Sequence, residues 1–224
     1  FSAGHDLKGP GDYEAERVWV GGSTDRGGAE GLMAFEEEMY LHMCRRWHDL
    51  PKPTIAAVQG NVIAGGLMLM WVCDIIVASD DASFRDMTVE FGVNGVEWFN
   101  HPWEFGIRKA KELLFTGDAI DAAEAHRLGM VNHVVPRDEL HEFTLAMAAR
   151  IAAKPSFSLK LAKLAVNQTL DVQGFQLAQQ QAFGLQHVGH AHARGEHLRT
   201  TGTDMFPGAG RSRKPFESPA TDDA

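Results

Sequence analysis

The sequence predicts an α/β protein, in which short buried strands alternate with helices before a helical C-terminal part. Residues 53–58 (PTIAAV) and 74–78 (DIIVA) are apolar runs too short for typical helices, so both are predicted as strands buried on two faces. Between them, the glycines of residues 60–66 allow a tight turn into an apolar helix at 67–71. The pattern after residue 138 is helical throughout.

A helix is predicted before the first strand. Its apolar positions recur every three or four residues, which is typical of a helix with one buried face, and Pro51 and Pro53 end it. These positions are Leu32, Phe35, Met39, Met43, Trp47 and Leu50. The glycine-rich residues 8–31 before it are predicted as a mobile surface loop.

Further helices follow the second strand. Spacing predicts helices at 108–115 and 121–128, with Asp121 as N-cap and Gly129 as the C-terminal stop of the second one. A strand is expected at 130–135, then helices at 139–153 and 156–170. A last long helix is expected to bury one face, formed by Phe175, Ala178, Ala182 and Leu185.

The chain is predicted to divide into an α/β core at residues 1–136, a helical region at 137–205 and a flexible tail at 206–224. Because it opens at Phe1 without an initiator methionine or a signal peptide, we expect an N-terminal portion to be missing.

Composition excludes several classes of function. The 21 basic and 30 acidic residues give a formal charge of −9, which disfavours nucleic acid as a partner. No apolar run approaches the roughly 20 residues that span a bilayer, so no membrane partner is expected. The two cysteines, Cys44 and Cys73, have no CxxC spacing, which argues against a disulfide framework or a cysteine zinc site and favours a cytoplasmic location.

Two glycine-bearing turns carry the functional signal, residues 1–7 (FSAGHDL) and 60–66 (GNVIAGG). A backbone N–H beside a glycine can approach a ligand oxygen closely and stabilise the negative charge that develops on it. If Gly65 begins a helix, its N–H has no acceptor inside that helix. Each turn alone could equally be a plain tight bend.

At these residues the chain resembles the enoyl-CoA hydratase/isomerase, or crotonase, superfamily. The resemblance continues through Cys73 and Asp74, residues 114–117 (LFTG) and residues 125–132 (AHRLGMVN). It implies a crotonase-like ββα spiral core with a helical C-terminal trimerisation region. It also implies an acyl-CoA substrate, with coenzyme A as part of that substrate and no tightly bound cofactor, and a homo-oligomer that is a trimer or a dimer of trimers.

The resemblance also implies which residues form the site. The backbone N–H groups of His5 and Gly65 would both donate to the thioester oxygen, forming an oxyanion hole. The residues expected to contact substrate are Ala3, Asp6, Leu7, Ala64, Trp98 and His101.

Hydratases of the superfamily use two glutamates, and those positions hold Met68 and Thr88 here. A thioether has no proton to exchange, and a threonine hydroxyl is too weak an acid or base near neutrality. Met68 is either a core side chain or part of an acyl pocket. Ordinary hydration of an enoyl-CoA is therefore doubtful, which leaves two functional hypotheses: an enzyme with a relocated acid or base, or an inactive acyl-CoA-binding homologue.

Asp86 and Glu97 are the candidates for a relocated acid or base. If residues 85–90 are extended, Asp86, Thr88 and Glu90 share one face. Glu97 and His101 lie in the aromatic stretch 92–106, which is predicted to be a loop over the acyl group, where an acid could pair with His101. The alternative for both acids is a solvated charge or a structural ion pair.

Four histidines near the C-terminus, His187, His190, His192 and His197, allow a metal hypothesis because two of them are three residues apart. A polar helix face explains them better, since no regularly spaced Cys, Asp or Glu completes a ligand set. The expected site therefore contains no metal.

Overall fold

A computed structural model describes residues 1–4 and 28–203. In this part of the chain, the first of two three-stranded sheets contains β1 (Ile55–Val58), β3 (Ile75–Ser79) and β6 (His133–Val135), in the order β1-β3-β6. All neighbours in it are parallel. The apolar runs predicted as strands form its two longest members.

The second sheet places β4 (Ser83–Arg85) between β2 (Asn61–Ile63), which is parallel to it, and β5 (Ile120–Asp121), which is antiparallel. Ser2 adds a parallel bridge to Val62 on the free edge of β2. The first residues of the chain therefore extend this sheet.

Helix α3 (Gly65–Trp71) starts where β2 ends and is buried over most of its length. The glycine turn predicted at 60–66 thus contains a short strand before the helix begins. Leu67, Met70 and Trp71 of this helix belong to the main core, together with Val58 and Phe84 from the two sheets. This packing fixes the N-terminal end of α3 relative to both sheets.

The predicted first helix is present as α1 (Gly28–Glu36), a π-helical segment (Glu37–His42) and α2 (Met43–His48). Residues 28–31, expected in a loop, are helical, and residues 8–27 lie outside the described part. The predicted buried face is wrong, because its first four positions are half-buried and Trp47 and Leu50 are exposed, whereas Glu36, Leu41 and Cys44 are buried. A π-helical segment has more residues per turn, so it shifts which side faces the core.

Five of the remaining helices follow the sequence prediction, with small changes at their ends. They are α5 (Ile107–Thr116), α6 (Ala122–Leu128), α7 (Leu140–Ala152), α8 (Ser156–Val172) and α9 (Phe175–Thr201). The prediction of a loop at 92–106 is wrong in part, because a further helix, α4, occupies His101–Phe105.

Two local expectations are wrong. Residues 85–90 are not extended, because β4 ends at Arg85 and a 3-10 helix occupies Thr88–Phe91, so Asp86, Thr88 and Glu90 do not share a strand face. Helix α9 buries Phe175 and Ala182 as expected, but it exposes Ala178 and Leu185. Gln179, Gln186 and His187 are buried instead, because polar side chains of the stretch before α4 and of α1 provide them with partners.

Within residues 1–4 and 28–203, no helix is both long enough and apolar enough to cross a membrane.

The cap of α6 provides a test of the local structure. The Asp121 carboxylate accepts a hydrogen bond from the Glu124 N–H at 2.8 Å, and Gly129 ends the helix in the left-handed conformation at φ 90°. Asp121→Ala should lower the free energy of unfolding by about 1 kcal/mol in urea denaturation, because one N–H loses its acceptor. Asp118→Ala, at an exposed position outside any helix, should change it by about 0.5 kcal/mol or less. Equal losses from both variants would contradict the capping role.

Candidate active site

The N-terminal segment lies against the turn that leads into α3. The Ser2 N–H donates to the Asn61 carbonyl at 3.2 Å, and the Ser2 carbonyl accepts from the Ile63 N–H at 2.9 Å. A Cβ placed on Gly4 would lie 3.0 Å from the Ile63 carbonyl oxygen and 3.8 Å from the Gly65 nitrogen. The chain therefore reaches the start of α3 at Gly4.

The absence of a side chain at Gly66 makes this approach possible. A Cβ there would lie 2.9 Å from the Ser2 carbonyl oxygen and 3.0 Å from the Ser2 Cβ, closer than real Cβ contacts. The N-terminal segment and the first turn of α3 therefore pack backbone to backbone. Glycine at this position decides how close the two glycine-bearing turns come.

Ala64 carries the strained backbone of this turn. Its φ of 46° and ψ of −109° are rare for a residue with a Cβ. Its N–H donates to the Arg85 carbonyl at 3.0 Å, and its carbonyl accepts from Leu67 at 2.8 Å, so both sides of the peptide are held. The next residue, Gly65, begins α3, and its N–H has no acceptor within that helix. Residue 65 thus has the donor that the sequence suggested.

His5, Asp6 and Leu7 lie outside the described residues. The convergence of the His5 and Gly65 amides on one oxygen therefore stays a prediction. Ala3 is described and exposed.

Asp86 and His101 form a buried pair, with His101 Nε2 2.8 Å from Asp86 Oδ2. The same carboxylate accepts the backbone N–H groups of Thr88 at 2.9 Å and Val96 at 3.2 Å. The rings of Trp71 and His101 pack edge to face, with 4.9 Å between their centroids. The acid that pairs with His101 is therefore Asp86, which is neither solvated nor free.

The pKa of Asp86 lies below its ordinary value. Burial raises it, but the hydrogen bond and charge of His101, together with Thr88, lower it further than burial raises it. Asp86 is therefore held as a carboxylate whose oxygens already have donors. These contacts favour a structural role for Asp86, in which it fixes the conformation of residues 86–101, over a role as a proton donor or acceptor.

Glu97 has the opposite environment. It is 4% exposed, and burial and the charge of Glu36 raise its pKa to about 7, against smaller opposing effects of Gln186 and His190. A carboxyl group that titrates near neutrality can both take and give a proton at that pH. Of the two candidate acids, Glu97 is the one whose environment suits general acid–base chemistry.

Comparison with known proteins agrees with this architecture. The sequence profile described as enoyl-CoA hydratase/isomerase matches residues 16–209. The chain belongs to the enoyl-CoA hydratase/isomerase family. Its fold is accordingly the α/β, crotonase-like fold.

Similar proteins include a putative enoyl-CoA hydratase, EchA13, of Mycobacterium tuberculosis, 47% identical over 201 residues. This match covers 86% of the present chain and 63% of the relative, so the chain spans less than two thirds of that relative's length. Crystal structures of probable enoyl-CoA hydratases from Mycobacterium smegmatis and Mycobacterium thermoresistibile are 51% and 50% identical, with TM-scores of 0.73 and 0.75. They cover 78% and 79% of this chain, and 70% and 74% of theirs.

In this member of the enoyl-CoA hydratase/isomerase family, Met68 is a core side chain that is 4% exposed. Its Sδ accepts the Trp98 N–H at 3.4 Å, which links α3 to the stretch that carries Glu97. Thr88 begins the 3-10 helix and donates its N–H to Asp86. Neither position holds a group that exchanges protons near neutrality.

Trp98 and His101, expected to contact substrate, are both almost completely buried. Trp98 packs against Phe175 of α9 and His48 of α2, with centroids 5.6 and 5.7 Å away. Their contact with an acyl group stays a prediction. Trp98 thus packs beneath the start of α9, whereas His101 packs against Trp71, Phe99 and Phe105.

Sequence reasoning missed the polar partners that surround the site. Glu36 and Gln186 are buried near Glu97, while the Asn100 amide links Glu104 at 2.7 Å to Gln179 at 3.0 Å. Burial raises the pKa of Glu104 to about 7, although Asn100 opposes it. The sequence feature that could have indicated these partners is the set of glutamines and histidines that α9 carries among its apolar residues.

Two of the four histidines of α9 face an acid. The Nε2 atoms of His187 and His190 each lie 3.4 Å from Glu36 Oε2. Within the described ranges, no group of three or more His, Cys, Asp or Glu side chains is arranged to hold a metal ion.

The structural role of Asp86 can be tested by measuring the stability of a variant at this position. Asp86→Asn should lower the free energy of unfolding by about 3 kcal/mol, because the amide keeps one acceptor oxygen for the Thr88 N–H, the Val96 N–H and His101, and a buried group loses its partner. Urea denaturation at neutral pH measures the change. The matched control is Glu90→Gln, which removes an exposed pair with Arg85 and should cost about 0.5 kcal/mol. A loss no larger than that of the control would show that the buried pair does not hold this region.

Proposed function

We propose that this protein binds the thioester of an acyl-CoA and stabilises an enolate or thioester oxyanion through the backbone N–H groups of His5 and Gly65. The supporting observation is the close packing of residues 1–4 against the first turn of α3. Gly4, to which His5 is bonded, lies beside the Gly65 nitrogen, whose N–H has no acceptor in its own helix. Two such donors lower the energy of a transition state in which charge develops on oxygen.

Glu97 is the proposed acid or base. As a carboxylate it would remove a proton next to the thioester carbonyl, and the electron pair of the broken C–H bond would become the enolate. As an acid it would return that proton to the same or another carbon. Its raised pKa of about 7 supports this role, because both protonation states are populated near neutrality. The proposed reaction class is enolate chemistry of the lyase or isomerase type.

A second candidate is an acyl-CoA-binding protein without turnover. Met68 and Thr88 occupy the positions of the two hydratase glutamates, and the Met68 side chain lies in the core with its sulfur bonded to Trp98. With these side chains, neither position could supply the acid or base that ordinary hydration needs. Binding of an acyl-CoA through the two backbone N–H groups would not require either side chain.

The remaining expectations form part of the same proposal. The protein needs no tightly bound cofactor, since coenzyme A arrives with the substrate. Helix α8 buries no side chain and exposes Phe157, Leu161 and Leu164, which supports packing of this region against further copies of the chain. A trimer or dimer of trimers is the expected assembly.

The test of the enzyme proposal is a Glu97→Gln variant. Wild-type protein should exchange the α-protons of an acyl-CoA with deuterated water, followed by NMR, and should act on crotonyl-CoA in a spectrophotometric assay. If Glu97 acts as base, the rate should rise with pH and level off above about 7, since only the carboxylate accepts a proton. Glu97→Gln should reduce the rate by about 100-fold or more.

The matched control is Glu104→Gln, which changes a half-buried carboxyl whose pKa burial also raises to about 7. It should keep the wild-type pH profile. Tight binding of acyl-CoA to wild type without exchange or product would instead support the binding protein. Exchange that persists in Glu97→Gln would exclude Glu97 as the base.

Gly66 tests the oxyanion turn. Gly66→Ala should push the Ser2 backbone away from α3 and lower turnover, or acyl-CoA affinity in a calorimetric titration, by about 10-fold to 100-fold. Gly184→Ala, at a helical glycine with no atom within 4 Å of the added Cβ, is the control and should change neither. Unchanged binding and turnover in Gly66→Ala would count against the proposed oxyanion hole.

A further inference from the structure

Three titratable side chains meet where α9 packs on α1. Glu36 is the last residue of α1, and His187 and His190 lie about one turn apart in the middle of α9. The Nε2 atoms of both histidines lie 3.4 Å from the same carboxylate oxygen, Glu36 Oε2. These three residues form the Glu36 cluster, on helices that belong to neither glycine-bearing turn.

The Glu36 cluster is largely removed from water. The exposed fractions of the side chains are 8% for Glu36, 7% for His187 and 17% for His190. The His187 ring packs edge to face on Phe183, with 4.5 Å between centroids, and its centroid lies 5.7 Å from that of His190. A charge in such surroundings is costly unless an opposite charge compensates for it. The number of protons on the two imidazoles therefore decides whether this contact is favourable.

The same part of α9 also packs on the stretch that leads to Glu97. A Cβ on Gly189, which lies between the two histidines in the chain, would be 2.6 Å from the Gly92 carbonyl oxygen, so only glycine allows this approach. The Asn94 side chain donates to the Ala182 carbonyl of α9 at 3.2 Å. The middle of α9 therefore contacts both α1 and residues 92–94.

Three charge states of the cluster are possible near neutrality. With one proton on the two histidines, a single imidazolium balances the Glu36 carboxylate. With no proton, the buried carboxylate has no counter-charge within the cluster. With two protons, the second imidazolium lies beside the first without an acid of its own. The contact between α1 and α9 is therefore most favourable in the state with one proton.

We propose that the Glu36 cluster is a pH-dependent latch that holds α9 on α1, and that the latch is closed when His187 and His190 carry one proton between them. The inference goes beyond the proposed function, because it concerns the position of a helix in the protein without substrate. It applies equally to an enzyme and to a binding protein. It predicts that α9 loosens on both sides of an optimum pH.

The pKa directions of the two histidines agree with this arrangement. Burial lowers the pKa of His187 against the charge of Glu36, and the charge of His190 lowers it further. Burial also lowers the pKa of His190, but the hydrogen bond and charge of Glu36, together with the charge of Glu97, raise it by more. His190 therefore takes the first proton and His187 the second.

The two shifts change the stability of the contact with opposite signs. His190 binds its proton more tightly when α9 is seated, so its contribution is fully present below its ordinary pKa of 6.5 and is lost as the pH rises through its raised pKa. His187 binds its proton less tightly when α9 is seated, so the contact weakens as the pH falls below 6.5. The latch should therefore be strongest near pH 6.5.

Other charged or titratable groups belong to the elements around the cluster. The helical run after Glu36 carries groups that pair among themselves or with Arg46, namely Glu37, Glu38 and His42. On α2, burial and then the charge of Glu97 raise the pKa of Cys44 to about 12, so this thiol stays neutral. Glu30 of α1 and Arg194 of α9 each have an interaction of their own. Burial raises the pKa of Glu97 to about 7, so this acid titrates in the same range and requires its own control.

The test follows hydrogen exchange in the full-length protein without substrate. Mass spectrometry gives protection factors for the amides of residues 184–194, corrected for the intrinsic effect of pH on exchange. Wild type should have a maximum near pH 6.5, with protection about 10-fold lower near pH 5 and near pH 8.5, since one unit of pKa difference is a factor of about ten. The amides of α5, which contains no histidine, are the internal reference and should show no such maximum.

Two variants should remove opposite halves of this profile. Glu36→Gln removes the carboxylate that favours an imidazolium, so the loss of protection on the alkaline side should disappear while the loss on the acid side remains. His187→Asn removes the second proton, so the loss on the acid side should disappear while the alkaline loss remains. General destabilisation lowers protection at every pH and cannot produce this pattern.

Matched controls make the same chemical changes nearby. Glu38→Gln, whose carboxylate pairs with Arg46, and His192→Asn, at an exposed position of α9, should keep both halves of the profile. Glu97→Gln should also keep a maximum, because the Glu36 cluster remains complete. Circular dichroism across the same pH range checks that each variant is folded.

The order of protonation is measured separately by NMR titration of the imidazole Cε1 protons. His190 should titrate above pH 6.5 and His187 below it. The proposal is overturned if protection of α9 in folded wild type has no maximum, if Glu36→Gln and His187→Asn keep both halves of the profile, or if His187 titrates at or above the pH of His190. None of these results depends on turnover, so they leave the test of the proposed function separate.

Discussion

The carboxylate of Asp86 is the interaction on which the site depends. It accepts the N–H groups of Thr88 and Val96 and pairs with His101, so one buried charge closes the stretch between β4 and α4. That stretch carries Glu97 and Trp98, and the Trp98 N–H reaches the Met68 sulfur of α3. A single side chain thus connects the second sheet, the stretch that carries the proposed acid Glu97, and the helix that begins at Gly65.

Asp86 and Glu97 illustrate how environment separates two carboxyl groups that are alike in sequence. Both are buried, yet the hydrogen bonds and the charge of His101 lower the pKa of Asp86 further than burial raises it, whereas for Glu97 burial and the charge of Glu36 outweigh the groups that lower the pKa. Burial alone raises the pKa of each group, and the balance of partners decides the outcome. One acid therefore organises the structure, while the other is left able to titrate near neutrality.

The family shared with the mycobacterial relatives accounts for the two sheets and the turn at residue 65, but not for the placement of an acid. With Met68 in the core, the proton-exchanging group proposed here comes from the stretch beneath α9 instead. That helix contributes polar side chains to its buried face, which is unusual for a long surface helix. Gln179 contacts Asn100, and His187 and His190 contact Glu36.

The sequence by itself determined the strands β1 and β3, the apolar helix α3, the Asp121 cap of α6 and the glycine turns, because each depends on neighbouring residues and on local periodicity. Only the tertiary structure decided that Asp86 pairs with His101, that Glu36 faces two histidines of α9, and that α9 turns glutamines inward while Leu185 stays exposed. These pairings join residues that are far apart in the chain. A pKa or a buried polar contact depends on what three-dimensional packing places beside a group, and no local pattern encodes that neighbour.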